Sequence, residues 1–155
     1  MKVIFDLDGT LSDASHRIPM LEKLDADERM KKAIGNEVWE AFYLASIKDA
    51  PIIPMIETLN AFYATGAMIE IWTGRSDFVR DQTEVWLRHN GIDPILLRNM
   101  RPHGDHISDK ELKRGWLLEL RHSAWPDLVF EDRARVVQMW RGEGIRCCQV
   151  DVGDF

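Results

Sequence analysis

Only two of the 155 residues are cysteine, Cys147 and Cys148, and they are adjacent. Neighbouring strand residues point to opposite faces, so a bridge between them would be strained. A disulfide scaffold and a cysteine-ligated zinc centre are both excluded. No apolar run approaches the roughly 20 residues that span a bilayer. The opening stretch MKVIFDLDGT does not read as a secretory leader, because its apolar part is short and acids follow at once. The expectation is a reducing, cytoplasmic location with no membrane partner. Basic charge is scarce as well: 20 Lys+Arg against 26 Asp+Glu give a net charge of −6 with histidine neutral. That balance excludes stable coating of nucleic acid by bulk charge. Contact with nucleic acid, if made, is expected at a local patch or a strand end. Repeats, low-complexity tracts and Gly/Ser/Pro linkers are missing too, so residues 1–155 read as one domain.

What is present is enough apolar material for a core, 45% of the chain, in a particular order. Short apolar runs alternate with longer amphipathic stretches, which predicts an α/β domain around a parallel sheet of about five strands. The expected strands are Lys2–Phe5, Ala67–Trp72, Ile95–Arg98, Asp127–Phe130 and Ile145–Val150. Helices are expected from Pro54 to Gly66, over Asp77–His89, over Asp109–His122 and around Val136–Trp140. Gly66 and Gly91 stand where helices end.

Pro19 to Asp49 breaks this alternation. Leu21, Leu24, Met30, Ile34, Val38, Trp39 and Phe42 are its apolar positions, read as one or two helices. It is expected to be a small helical cap inserted after the first strand, over the end of the sheet.

Ligands of open parallel sheets bind beyond the carboxyl ends of the strands. Three strand ends here carry polar clusters: Asp6/Asp8, Thr73-Gly74-Arg75 and Glu131/Asp132. Each alone could be a turn. Together they can hold a divalent cation and a phosphate. Asp6 closes an apolar strand, where a carboxylate without a partner is costly. A carboxylate can attack phosphorus and carry the phosphoryl group. A second one close by can protonate the leaving alkoxide and then activate water. Two carboxylates repel a phosphate unless a cation intervenes, and Mg²⁺ suits carboxylates, water and phosphate together. Asp132 is the candidate metal acid, and Lys113 or Lys110 the candidate cation for the phosphoryl group.

These residues resemble a known family. Asp6-Leu7-Asp8-Gly9-Thr10-Leu11, Thr73-Gly74-Arg75 and Glu131-Asp132 are similar, in order and position, to motifs of the haloacid dehalogenase-like phosphohydrolases, which have a Rossmann-like fold. Phe130-Glu131-Asp132-Arg133, Val136 to Arg141, Cys148-Gln149-Val150 and Gly153-Asp154-Phe155 further resemble the 3′-phosphatase domain of bacteriophage polynucleotide kinase-phosphatases. So does the spacing of Arg101, Gly104, Asp105, Asp109 and Lys113, which favours Lys113 over Lys110.

The resemblance implies roles. Asp6 would be the nucleophile and Asp8 the acid, then base. Asp6, the Asp8 backbone carbonyl and Asp132 would hold Mg²⁺. Thr73, Gly74 and Lys113 would bind phosphoryl oxygens. Glu131 and Asp109 would orient Lys113, the latter from one helical turn away. Arg17, Arg75 and Arg101 would meet the substrate phosphate. The implied substrate is a nucleic-acid 3′ end or a nucleotide. The chain departs from that family in having no Gly-rich loop with Gly-Lys-Ser/Thr, a long 19–49 insertion, and Glu131 where aspartate is usual. Two other functions compete: a nucleoside 5′-monophosphate phosphatase, which a closed cap would suit, and a non-catalytic module binding strand ends or a protein. Trp39 is the candidate for base stacking, whereas Trp86, Trp116 and Trp140 read as core. Neither the homo-oligomeric state nor a separate kinase partner follows from the sequence.

Overall fold

The structure is a computed structural model, and it describes residues 1–22 and 35–153. Five strands build a parallel sheet: β1 Lys2–Phe5, β4 Met68–Ser76, β5 Leu97–Arg101, β6 Leu128–Glu131 and β7 Arg146–Gln149. Their order is β5-β4-β1-β6-β7. Counting the parallel strands alone gives 3-2-1-4-5, the doubly wound order, whose direction of winding reverses between β1 and β6. Asp6 follows β1 and Asp132 follows β6, so both emerge at that switch point. A two-stranded antiparallel ribbon, β2 Ser12–Asp13 with β3 Ala50–Pro51, closes the chain entering and leaving the insertion.

Alternation along the strands divides the core into two layers. Val3, Phe5, Ile69 and Ile71 face one side, where they meet Ile56 and Leu59 of α3 (Ile53–Ala64) and Trp86 and Leu87 of α4 (Arg80–His89). Ile4, Trp72 and Val129 face the other. They meet Leu117 of α5 (Asp109–Glu119) and Val136, Val137 and Trp140 of α6 (Ala134–Gly142). The result is a three-layer α/β/α domain with Rossmann-type winding.

Several element ends differ from expectation. The second strand runs on through Thr73-Gly74-Arg75 to Ser76, with irregular register against β5, so this motif lies within the strand rather than after it. The third strand begins at Leu97, because Pro94–Leu96 forms a 3₁₀ turn opened by Asp93, whose side chain accepts from the Ile95 N–H. Asp77–Val79 is likewise a 3₁₀ turn before α4. Ser108 and Glu111 make a reciprocal capping box that starts α5 at Asp109. That helix stops at Glu119, and His122–Ala124 is a separate turn.

Within the insertion, α1 (Pro19–Glu22) and α2 (Gly35–Leu44) are helical. Leu21 and Phe42 form a small cluster of their own with Val38, Trp39 and Tyr43. Leu24, Met30 and Ile34 lie outside the described residues. No described helix is long and apolar enough to cross a membrane.

Candidate active site

The carboxyl ends of the strands open into a cleft of about 360 Å³. Asp6, Asp8, Lys113 and Glu131 line its floor. Leu21, Trp39, Phe42 and Tyr43 of the insertion form one wall, and the 103–108 loop forms another.

Lys113 is buried on α5 and donates from Nζ to Asp6 Oδ1 at 2.6 Å and to Glu131 Oε2 at 2.6 Å. Lys110 lies one turn earlier and is exposed, so Lys113 is the lysine delivered to the strand ends. Burial lowers a lysine pKa, but Asp6 and Glu131 outweigh it and hold the ammonium charged. Burial, with Glu131 and Asp132 adding, pushes the Asp6 carboxyl above its usual range against the pull of Lys113.

Asp6, Glu131 and Asp132 each bring a carboxylate oxygen within 4.8 Å of the others. Both Asp132 oxygens are buried with no hydrogen-bond partner among the described residues. A Cβ on Gly9 would fall 2.3 Å from Asp132 Oδ2, and one on Gly153 1.7 Å from it. Two glycines thus leave room for the Asp132 carboxylate. Burial, then the Glu131 charge, pushes its pKa up to about 7. A buried acid at such cost fits a hard cation, and the all-oxygen donor set suits Mg²⁺.

Asp8 belongs to a second network. Arg17 Nη2 donates to Asp8 Oδ1 at 2.7 Å, and Arg75 also pairs with that oxygen. Asp49 Oδ2 accepts from Arg17 Nη2 at 2.8 Å and from Arg75 Nη2 at 2.9 Å. Arg17 Nε reaches Asp49 Oδ1 at 2.9 Å. Both arginines are fully buried, so their charges are viable only in this arrangement. Burial would raise the Asp8 pKa, but Arg75 and Arg17 overcome it and hold the carboxyl well below the usual range.

A third network closes the cleft's far side. Asp109 pairs with Arg101 and with Arg133. Arg101 also donates to the Gly74 carbonyl at 2.9 Å and the Ile107 carbonyl at 2.7 Å, which ties the 103–108 loop to β4. Gly74 is required here, since a Cβ would fall 2.4 Å from Asp109 Oδ1.

The predicted residues therefore separate. Asp6, Glu131, Asp132 and Lys113 come together as expected. Asp109 accepts hydrogen bonds from Arg101 and Arg133, so its pull on Lys113 is through-space charge alone. Arg17 and Arg75 sit behind Asp8, engaged with carboxylates, because a buried guanidinium needs an acid more than an approach to solvent. Arg101 lines the cleft but serves the loop. Thr73 is buried, and its Oγ1 accepts from the Arg75 N–H at 3.0 Å. His103 and His106 line the cleft, but the described acidic cluster contains neither. Trp86 and Trp140 are core, as expected, and Trp39 lines the cleft.

Two participants escaped the sequence reading. Asp49 carried no motif; its only signal was an acid two residues before Pro51, at the return from the insertion. Arg133 stands in the Phe130-Glu131-Asp132-Arg133 stretch, but its sequence position suggests at most an ion pair with Glu131. Its backbone N–H does donate to Glu131 Oε1 at 3.2 Å, while its side chain pairs with Asp109.

Over residues 1–155 the chain matches the family described as the polynucleotide kinase PNKP phosphatase domain. It is similar to a chain of the solved Pnkp1/Rnl/Hen1 complex, at 29% identity and a TM-score of 0.72, over 99% of this chain and 47% of that one. The Pnkp1/Rnl/Hen1 RNA repair complex gives 28% identity and a TM-score of 0.73 over 99% and 43%. The chain thus spans a little under half the length of these two. A haloacid dehalogenase-like hydrolase from Streptococcus pneumoniae shares the fold, with a TM-score of 0.58 at 14% identity over 96% and 83%.

Proposed function

Since the chain belongs to the family of polynucleotide kinase PNKP phosphatase domains, and is a phosphatase of the haloacid dehalogenase type, we propose that it removes a terminal 3′ phosphate from a polynucleotide end or nucleotide. In this reading the reaction depends on Mg²⁺ and passes through an aspartyl-phosphate on Asp6. The observation that carries it is the buried Asp6 carboxylate at the cleft floor, 2.6 Å from Lys113, beside Asp132, whose oxygens have no hydrogen-bond partner among the described residues.

Asp6, Asp132 and the Asp8 backbone carbonyl would hold the cation, which neutralises phosphoryl oxygens when bound. Asp6 Oδ attacks phosphorus, the bond to the sugar oxygen breaks, and that oxygen takes a proton from Asp8. Water then attacks phosphorus, gives its proton to Asp8, and inorganic phosphate leaves with Asp6 restored. Lys113 favours the ionised form of Asp6 against the effect of burial and meets the equatorial oxygens. Glu131 holds the lysine's other side. Asp8 starts ionised between two arginines, so it must gain a proton to act as acid. An arriving phosphate dianion favours that, by repelling the Asp8 charge.

The 19–49 segment is read as a cap, with Trp39 offering a face for the terminal base. The enclosure of one side of the cleft by Leu21, Trp39 and Phe42 favours a second reading, a nucleoside 5′-monophosphate phosphatase. The non-catalytic reading is set aside by the phosphatase family match and the intact Asp6, Asp8, Lys113 and Asp132. A cytoplasmic setting and a nucleic-acid end or nucleotide as the sole required partner complete the proposal.

A panel of 3′-phosphorylated oligonucleotides, 3′-mononucleotides and 5′-mononucleotides, with Mg²⁺ or chelator, tests it. Preference for 3′ phosphates, dependence on the metal and loss of at least 10³-fold in Asp6→Asn are expected, because that change removes the attacking oxygen's charge. A 5′ preference would move the reading to the nucleotidase. Robust Asp6→Asn activity in chelator would refute the aspartyl-phosphate route.

A further inference from the structure

Among the described residues, four arginines or lysines line the cleft: Arg101, Lys113, Arg133 and Arg135. Three are committed to carboxylates. Lys113 is shared by Asp6 and Glu131, and Arg101 and Arg133 are shared by Asp109. Arg135 differs from all three. It lies in the first turn of α6, just beyond Glu131 and Asp132, and it is exposed. Among the described residues no carboxylate pairs with it, although it faces the same cleft. A guanidinium is always charged and is shaped to grip phosphate.

The phosphoryl site at the floor already has its own positive groups. A substrate with only one phosphate would leave Arg135 with nothing to bind. A polynucleotide end brings a second anion, the phosphodiester joining the last nucleotide to the one before it. The cleft is at the lower limit of ligand-pocket size, so one nucleotide fits inside and the chain continues over the rim. Arg135 lines the cleft and is exposed to solvent, so it can meet the chain there. Its location on the strand-end side of α6 also suits an anion, since the N-terminal end of a helix carries partial positive charge.

Building on the 3′-phosphatase reading above, we propose that Arg135 is a specificity residue that binds the phosphodiester preceding the terminal nucleotide, and so favours polynucleotide ends over free mononucleotides. Arg135 takes no part in bond breaking. Its effect falls on capture of the substrate, and it is screened by salt as an exposed contact should be.

The test compares wild type, Arg135→Ala and Arg135→Lys on a 3′-phosphorylated oligonucleotide and on a 3′-mononucleotide, with Mg²⁺, over a range of salt. Arg135→Ala is expected to lower kcat/KM for the oligonucleotide at least ten-fold more than for the mononucleotide, mainly through KM. Arg135→Lys should recover part of that difference, because the charge remains. The slope of log kcat/KM against log salt for the oligonucleotide should become shallower by about 0.7 in Arg135→Ala, the value of one single-strand phosphate contact. Equal losses on both substrates, or an unchanged salt slope, would overturn the assignment while leaving the phosphatase reading intact. If wild type fails on both substrates yet hydrolyses 5′-mononucleotides, the underlying reading falls, and this inference with it.

Discussion

Asp132→Asn tests whether the acid cluster is held in readiness for a cation. The wild-type carboxyl is raised from 3.8 to about 7 by burial and by Glu131. The native state therefore binds its proton more tightly than the unfolded chain does. Stability of the metal-free protein should fall as pH rises from about 4 to about 7, then level off once both states are ionised. At 1.36 kcal/mol per unit, the accumulated cost is at most about 4 kcal/mol. An asparagine carries no charge and avoids it. In chelator at pH 8 the variant should be the more stable protein, by up to about 4 kcal/mol, and near pH 4 the gap should close. Urea unfolding at several pH values, with chelator, measures both limbs. Adding Mg²⁺ should then raise the stability of wild type and do little for the variant, because mass action acts only on a form that binds. A variant less stable at pH 8, or a gap that does not change with pH, would refute the reasoning.

Asp49→Asn leaves Arg17 and Arg75 with Asp8 as their only described carboxylate partner. Breaking a buried ion network from one side should cost about 3–5 kcal/mol in urea unfolding, and phosphatase activity should fall with it; unchanged stability would contradict the network's role. Gly9→Ala puts a side chain at φ +87 and within 2.3 Å of Asp132 Oδ2. Thermal unfolding should show a loss of about 1 kcal/mol or more, and the stabilisation conferred by Mg²⁺ should weaken, because Asp132 must shift.

Strand and helix identities were legible because their causes are local. Lys2–Phe5 is a short, mainly apolar run followed by Asp6, Leu128–Glu131 is one that ends in Glu131 before Asp132, and the helices carry apolar stripes between glycines and prolines. Boundaries were less legible where a side chain far in sequence or a turn decided them. β4 runs on through Thr73-Gly74-Arg75 because β5 pairs with it as far as Arg101. The doubly wound order then brings the ends of β1 and β6 side by side, which is why Asp6 and Asp132 could be expected in one place.

The sequence alone determined the acids of the centre, Asp6, Asp8, Glu131 and Asp132, since each follows directly from a strand whose pattern is visible. Its net charge of −6 also set the expectation that nucleic acid would not be held by bulk positive charge. Tertiary structure decided which cations go where. Nothing local distinguishes an arginine that reaches a ligand from one buried behind an acid. Arg17 and Arg75 turned to Asp8 and Asp49, and Arg101 and Arg133 to Asp109. The physical reason is desolvation: a guanidinium drawn into the interior is stable only against a carboxylate. Only the folded chain can show which carboxylates, from residues 8, 49 and 109, are within reach.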